Sequence, residues 1–399
     1  MTTVSGMEAS EDNRVMPASR LRIWLRRGFA VLLLAAVAAV AWYAFVREGE
    51  GDEPEQRKRA EGVSRKADEA VRGLDVEEQA DQVLLLGFDD SDASAPIVAE
   101  LRDRQLGGVL VGPQNGASPE LLKALAKAGG ENGRIPPLIA AAQEGGIYRS
   151  FGELPPVERQ IDIGDRADPE RAQAWAADAA RALAGLGFTL NLFPVADVGT
   201  LDSPVGGRAF SDDAVLAAEL TAAALRGCEE AEIACAPLHF PGLGAASQDT
   251  AEGPATVSLD AASLEARDLE PFRAAIAEKA PALVVSVALY SAYDAVTPAA
   301  LAPQVVNDLL RDRLRFKGLA ITDDLSSGAV KATHRVPEAA VAALRAGADL
   351  LQISSPDDQA RVHNAIVAAV ESGELPAERL AEAASRVLEL KRGLGLEGG

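Results

Sequence analysis

Eight short apolar runs, separated by alanine-rich stretches of helical period, constrain this chain more than any other feature. They read VLLLGF, GGVLVG, PPLIAAA, GFTLNLFPV, EIACAPLHF, PALVVSVAL, GLAITDD and DLLQISS. Strands buried on both faces appear as continuous apolar segments, whereas half-buried strands alternate. Between the runs, segments such as DDAVLAAELTAAALRG and PEAAVAALRAGAD return apolar residues every three and four positions, as amphipathic helices do. Ser211, Asp212 and Asp213 supply an N-cap oxygen and negative charge where one such helix begins. Helices between buried strands imply parallel pairing, and eight such units in roughly 320 residues point to a single α/β domain, a (β/α)8 TIM-type barrel. A doubly wound open sheet is the alternative.

The N-terminal part reads differently. Residues 28–46, GFAVLLLAAVAAVAWYAFV, carry no charge over nineteen positions, and as a helix they span roughly 28 Å, close to a bilayer's hydrocarbon thickness. Trp24 precedes the stretch, and Trp42 and Tyr43 lie near its end, where amphipathic rings settle at membrane interfaces. Arg20, Arg22, Arg26 and Arg27 come before it and acidic sequence follows Arg47. The expected organisation is a cytoplasmic basic segment (1–27), a transmembrane anchor (28–46), a charged stalk (47–73), helical over SRKADEAVRG, and an extracytoplasmic barrel (74–399). A single-pass cell-membrane protein follows from this, with a cleaved signal peptide as the alternative.

The formal net charge of −21, with no basic stripe beyond the first sixty residues, excludes nucleic acid as a partner and favours a neutral or cationic ligand. No GxGxxG or GxxxxGK[ST] follows a strand, so no nucleotide cofactor is expected. Cys228 and Cys235, the only two cysteines, make neither a disulfide framework nor a metal-binding pattern and are expected as unpaired buried thiols, with a single bridge between them as the alternative.

In a β/α barrel, function sits where strands end and βα loops begin. The polar residues there are QEGG at 143–146, Asn191 and Asp197 in NLFPVADV, GGRAF at 206–210, His239 in LHFPGLG, and TDDLSSG at 322–328. Taken in order, these motifs resemble family 3 glycoside hydrolases, specifically the β-N-acetylhexosaminidase type built on one barrel. The resemblance runs from LDVEEQADQVLLLGF to ESGELPAERLAEAASRVLELKRGLGL.

That resemblance implies retaining hydrolysis of an N-acetylglucosamine-containing glycan, such as cell-wall material, without a cofactor or metal. It assigns the nucleophile position to Asp323, with Asp324 next in line. A retaining glycosidase needs such a carboxylate about 5 Å from its acid partner. Read without the resemblance, either aspartate is a helix cap. Arg208 and His239 match residues that hydrogen-bond sugar hydroxyls, a task suited to the fixed fork of a guanidinium. His334 and His363 are expected at the surface.

Several positions depart from the family pattern. Where the family carries an Asp before its QEGG-type motif and an Arg after it, this chain has Ala142 and Ser150, with Arg149 one residue out of step. Leu238 replaces a lysine in Lys-His-Phe-Pro-Gly. In the following loop the family's Asp-x-His pair becomes Asp249 and Ala251, so Asp249 is the partner of a missing acid/base histidine. Glu252 is the neighbouring carboxyl that would have to replace it. Losing general acid/base assistance costs about 10²- to 10⁴-fold in rate. The expectation is therefore a family 3-like protein of impaired catalysis, with a non-catalytic glycan- or protein-binding barrel as the alternative.

Overall fold

The structure, a computed structural model, describes residues 62–131 and 134–396. Its strands are β1 (Leu84–Gly87), β2 (Gly108–Leu110), β3 (Leu138–Ala141), β4 (Leu190–Asn191), β5 (Ala234–Cys235), β6 (Thr256–Val257), β7 (Ala282–Val285), β8 (Leu289–Tyr290), β9 (Leu319–Thr322) and β10 (Leu351–Ile353). Each of the eight apolar runs contributes a strand, and β6 and β8 make an additional parallel pair.

The sheet corrects the expectation of one uniform eight-stranded barrel. Six strands hydrogen-bond continuously in the order β10-β1-β2-β3-β4-β5, all parallel, while β7 and β9 form a separate parallel pair. Isolated parallel bridges, Phe240 to Val285 and Ile321 to Leu350, connect that pair to the end of the β5 run and to the β10 run. Proline contributes to the break next to β5, while the β9–β10 break has no proline near it. Pro194 and Pro237 stand just beyond the two-residue strands β4 and β5, and neither can donate to a ladder.

Side chains alternate between two cores, as the two-residue repeat of a strand requires. Leu85, Ala282, Val284, Leu319 and Ile321 join Leu138, Leu190 and Leu238 in an inner cluster. Leu84, Leu86, Leu283 and Val285 face the outer layer of helices. The helix Ala377–Gly393 sends Val387 into the inner cluster. Its Lys391 is buried, donating from Nζ to Gln82 Oε1 and to Leu106 O at 2.9 Å each.

Local signals account for several element starts. Asp75 and Glu78 form a reciprocal capping box on Val76–Gln82. Asp213, not Ser211, caps the helix Ala214–Glu230, its Oδ1 accepting from Val215 N at 2.9 Å. Residues 62–71, at the end of the expected stalk, form a helix whose Ala67 and Val71 are buried in the outer core.

Two expectations are overturned. Cys228 and Cys235 are joined in a disulfide. The end of Ala214–Glu230 and strand β5 lie side by side here, which makes the single bridge, the alternative reading of the sequence, the outcome. The membrane anchor is corrected as well, since among the described residues no helix is long and apolar enough to cross a membrane. Residues 28–46, to which it was assigned, lie outside the described residues, as do segment 1–27 and the stalk up to residue 61. The transmembrane helix, the single-pass topology, the membrane as partner and the extracytoplasmic placement of the barrel are withdrawn with it.

Candidate functional site

The ends of β3, β4 and β5 converge on one polar group. Asn191 ties the first two together, its Oδ1 accepting from Gln143 N at 2.9 Å. Gln143 in turn bonds Phe151 N and the carbonyls of Phe151 and Pro155, which folds residues 143–155 back over the strand ends. That loop consumes its own donors. Ser150 Oγ donates to Ala142 O at 2.7 Å, and Arg149 donates to Gly146 O and Leu154 O at 2.7 and 2.9 Å.

Glu144, next to Gln143, is buried and grips Arg208. Arg208 Nε donates to Oε2 at 2.6 Å and Nη2 to Oε1 at 2.8 Å. A planar fork meeting a carboxylate in this way has fixed orientation as well as balanced charge. Burial opposes the charge on Arg208, but the Glu144 carboxylate outweighs it and holds the guanidinium above its ordinary pKa. Asp249 adds a weaker contact, 3.8 Å from its Oδ2 to Arg208 Nη1.

His239 completes the group. Its Nδ1–H donates to Asp197 Oδ2 at 2.7 Å, and Arg208 Nη2 approaches its Nε2 at 3.3 Å. This assigns the neutral ring its Nδ1–H tautomer from its partners. Burial works against a charged ring, yet Asp197 outweighs that effect and raises the His239 pKa. The other Asp197 oxygen accepts from His239 N at 3.2 Å and Leu243 N at 2.6 Å, so this fully buried carboxylate holds both ends of the turn. Tyr290 OH donates to Gly242 O at 3.0 Å from the far side.

Asp323 and Asp324 follow β9 and differ in their commitments. Asp324 accepts from Ser326 N at 2.9 Å, Ser354 N at 3.1 Å and Ser354 Oγ at 2.5 Å. Burial raises its pKa despite those bonds. Asp323 Oδ1 accepts from Asp324 N at 2.8 Å, and its charge acts on both His239 and Tyr290. The half-buried Asp323 also donates from its N to Val285 O at 2.8 Å, and Val285 pairs with Phe240 beside His239, while Asp324 joins the ends of β9 and β10.

The loop after β5 closes the description. Asp249 Oδ1 accepts from Ala251 N at 2.9 Å, an Asx turn. Ala251 and Glu252 are exposed. A Cβ built on Gly328 would lie 3.7 Å from Ala251 O, which brings this loop against the turn that follows Asp323. Leu238 is buried in the inner core, where a lysine would have no counter-charge from that apolar cluster.

Thus Arg208, His239 and Asp249 come together with Asp323 close by, and Glu252 stays on the exposed part of the loop. His334 and His363, expected at the surface, are half-buried; His363 lies 3.3 Å from Asp81 Oδ1. Glu144 and Asp197 were visible as strand-end residues, but their partners were not. Among the described residues no group of three or more His, Cys, Asp or Glu side chains is arranged to hold a metal ion.

Comparison with known proteins agrees in direction. Residues 75–390 match the glycosyl hydrolase family 3 N-terminal domain. A beta-hexosaminidase of Stenotrophomonas maltophilia is 33% identical over 285 residues, covering 69% of this chain and 84% of its own. One of Xylella fastidiosa is 32% identical over 283 residues with the same coverage. Among solved structures, a family 3 beta-N-acetylglucosaminidase from Paenibacillus sp. aligns with a TM-score of 0.78 at 30% identity over 82% of this chain. The chain spans only 64% of that enzyme. A beta-N-acetylhexosaminidase from Beutenbergia cavernae aligns with a TM-score of 0.72 at 28% identity, covering 80% of this chain and 99% of its own.

Proposed function

The chain belongs to glycosyl hydrolase family 3, and on that premise we propose that it binds an N-acetylglucosamine-containing glycan between His239, Arg208 and Asp323 and hydrolyses it with strongly impaired power. In this reading Asp323 attacks the anomeric carbon and holds the sugar covalently, while His239 and Arg208 orient the ring hydroxyls. Asp249 remains from a pair whose proton-carrying member is gone.

One observation carries the reading. Ala251 stands where the resemblance calls for the acid/base histidine, and the carboxyl beside it, Glu252, is exposed. Without an internal acid, departure of a poor leaving group is the step that suffers. An aryl leaving group needs little protonation, so Asp323 can still be glycosylated by an activated substrate.

The full chain should therefore release the aryl group from an aryl β-N-acetylglucosaminide much faster than it cleaves an N-acetylglucosamine oligomer, and Asp323→Ala should lose both. Equal rates on the two substrates would sink the impaired-acid reading and point to Glu252, which Glu252→Gln would then test. Absence of turnover on either, together with a thermal upshift in the presence of the oligomer, would support the non-catalytic glycan-binding alternative.

A further inference from the structure

Beneath the turn that carries His239 lies a second carboxyl with no part in the proposed reaction. Asp268 is fully buried, in the π-helical turn Leu264–Asp268. Its Oδ1 has no hydrogen-bond partner, and its Oδ2 has Arg267 Nη1 at 3.5 Å. The other amino group of Arg267 is committed to Val198 O at 2.8 Å. Gly242 packs directly on this carboxyl. Its φ of 126° lies in the region that favours glycine, and a Cβ there would sit 2.6 Å from Asp268 Cβ and 3.2 Å from Oδ1.

The turn is thus held between two buried carboxyl groups of opposite circumstance. Asp197 accepts three N–H bonds, from His239 Nδ1, His239 N and Leu243 N. Asp268 accepts one long contact from its neighbour in sequence. Hydrogen bonds favour an ionised carboxylate and burial favours a protonated one, so Asp268, buried with a single long contact, is driven toward its protonated form. Burial raises Asp268 to about 7, with Arg267 opposing and the Asp197 charge adding to the rise. Tyr290, which packs from β8 and donates to Gly242 O, is itself held neutral by burial.

We propose that Asp268 is a positioning residue for the site: as a neutral carboxylic acid it seats Gly242 and the turn that carries His239, and when it ionises it unseats that turn. Its proton goes to solvent, and the new charge lies under Gly242 with Arg267 as its cation. The His239 ring then loses its fixed place between Asp197 and Arg208. Any consequence for ligand binding rests on the function proposed above, but the seating of His239 does not.

Hydrogen exchange of the full-length protein, read by mass spectrometry, tests this without a ligand. Peptides covering His239–Leu243 are compared between wild type and Asp268→Asn at equal pH, so that intrinsic exchange chemistry cancels. At pH 5.5 the two should exchange alike. At pH 8.5 the wild-type turn should exchange on the order of 10-fold faster, because only the wild type then carries the buried charge. Arg267→Met is the second variant. Removing the cation that favours ionised Asp268 should move the onset of wild-type loosening to higher pH. A ratio that does not change with pH, a difference spread evenly over the chain, or an unmoved onset in Arg267→Met would each overturn the proposal.

Discussion

Arg208 and Glu144 meet through two hydrogen bonds, Nε to Oε2 at 2.6 Å and Nη2 to Oε1 at 2.8 Å. The guanidinium assigned to sugar hydroxyls is therefore aimed and neutralised before any ligand arrives. Its side chain retains 16% exposure and that of Glu144 retains 6%, so water can compensate little if either is removed. Glu144→Ala should lower stability by about 3–5 kcal/mol, the cost of stranding a buried charge. Arg208→Met strands the carboxylate in the same way and should also destabilise the protein. The double variant should recover part of the loss, as measured by denaturant titration of all three proteins.

Ala251→His returns a proton carrier to the loop beside Asp249, which already lies against the turn after Asp323. It should raise kcat/KM on an N-acetylglucosamine oligomer by at least about 10²-fold, the low end of general acid assistance. The gain should be much smaller on an activated aryl glycoside, and Asp323→Ala in the same background should abolish it. Equal gains on both substrates would mean that the histidine acts by contact and not by proton transfer.

Cys228 and Cys235 close a short loop, seven residues apart in sequence. A loop of that length restricts the unfolded chain by roughly 2–3 kcal/mol. The Cys228→Ser, Cys235→Ser double variant should lose about that much, and reductant should lower the Tm of the wild type while leaving the variant unchanged.

Two buried groups give stability opposite slopes with pH. Asp268 is raised from 3.8 to about 7, so the folded state binds the extra proton and stability falls as pH rises between those values. Burial lowers Lys391 from 10.5 to about 7, so the unfolded state binds the extra proton and stability rises between pH 7 and 10.5. Each slope reaches about 1.4 kcal/mol per pH unit at most. Denaturant midpoints at pH 5, 7 and 9 should show a minimum near neutrality. Asp268→Asn should remove the acid-side fall and Lys391→Met the alkaline-side rise.

Much of the domain was legible before its geometry. All eight apolar runs carry strands, because burial on both faces demands uninterrupted hydrocarbon and leaves a mark within a few residues. Strand ends were legible for the same reason, and they pointed to Glu144, Asp197, His239 and Asp323, whereas Arg208 lies on the short turn Gly206–Arg208 in the loop after β4. The disulfide was legible only as the less favoured alternative, since it depends on how the end of one helix lies beside β5. The exposed state of Glu252 was equally hidden, being a property of the loop's path and not of its composition.

By itself the sequence determined the types of the elements and which residues follow the apolar runs, Ala142, Ser150, Leu238 and Ala251 among them. Those follow from side-chain chemistry and short-range periodicity. Only the tertiary structure decided which charges meet. Arg208 finds Glu144 sixty-four residues away, and His239 finds Asp197 forty-two residues away. It also left Asp268 without a partner for one of its oxygens. Such pairings are selected by the angular order of strands around the sheet and by the high cost of burying a charge alone, and neither is written in any local stretch of the chain.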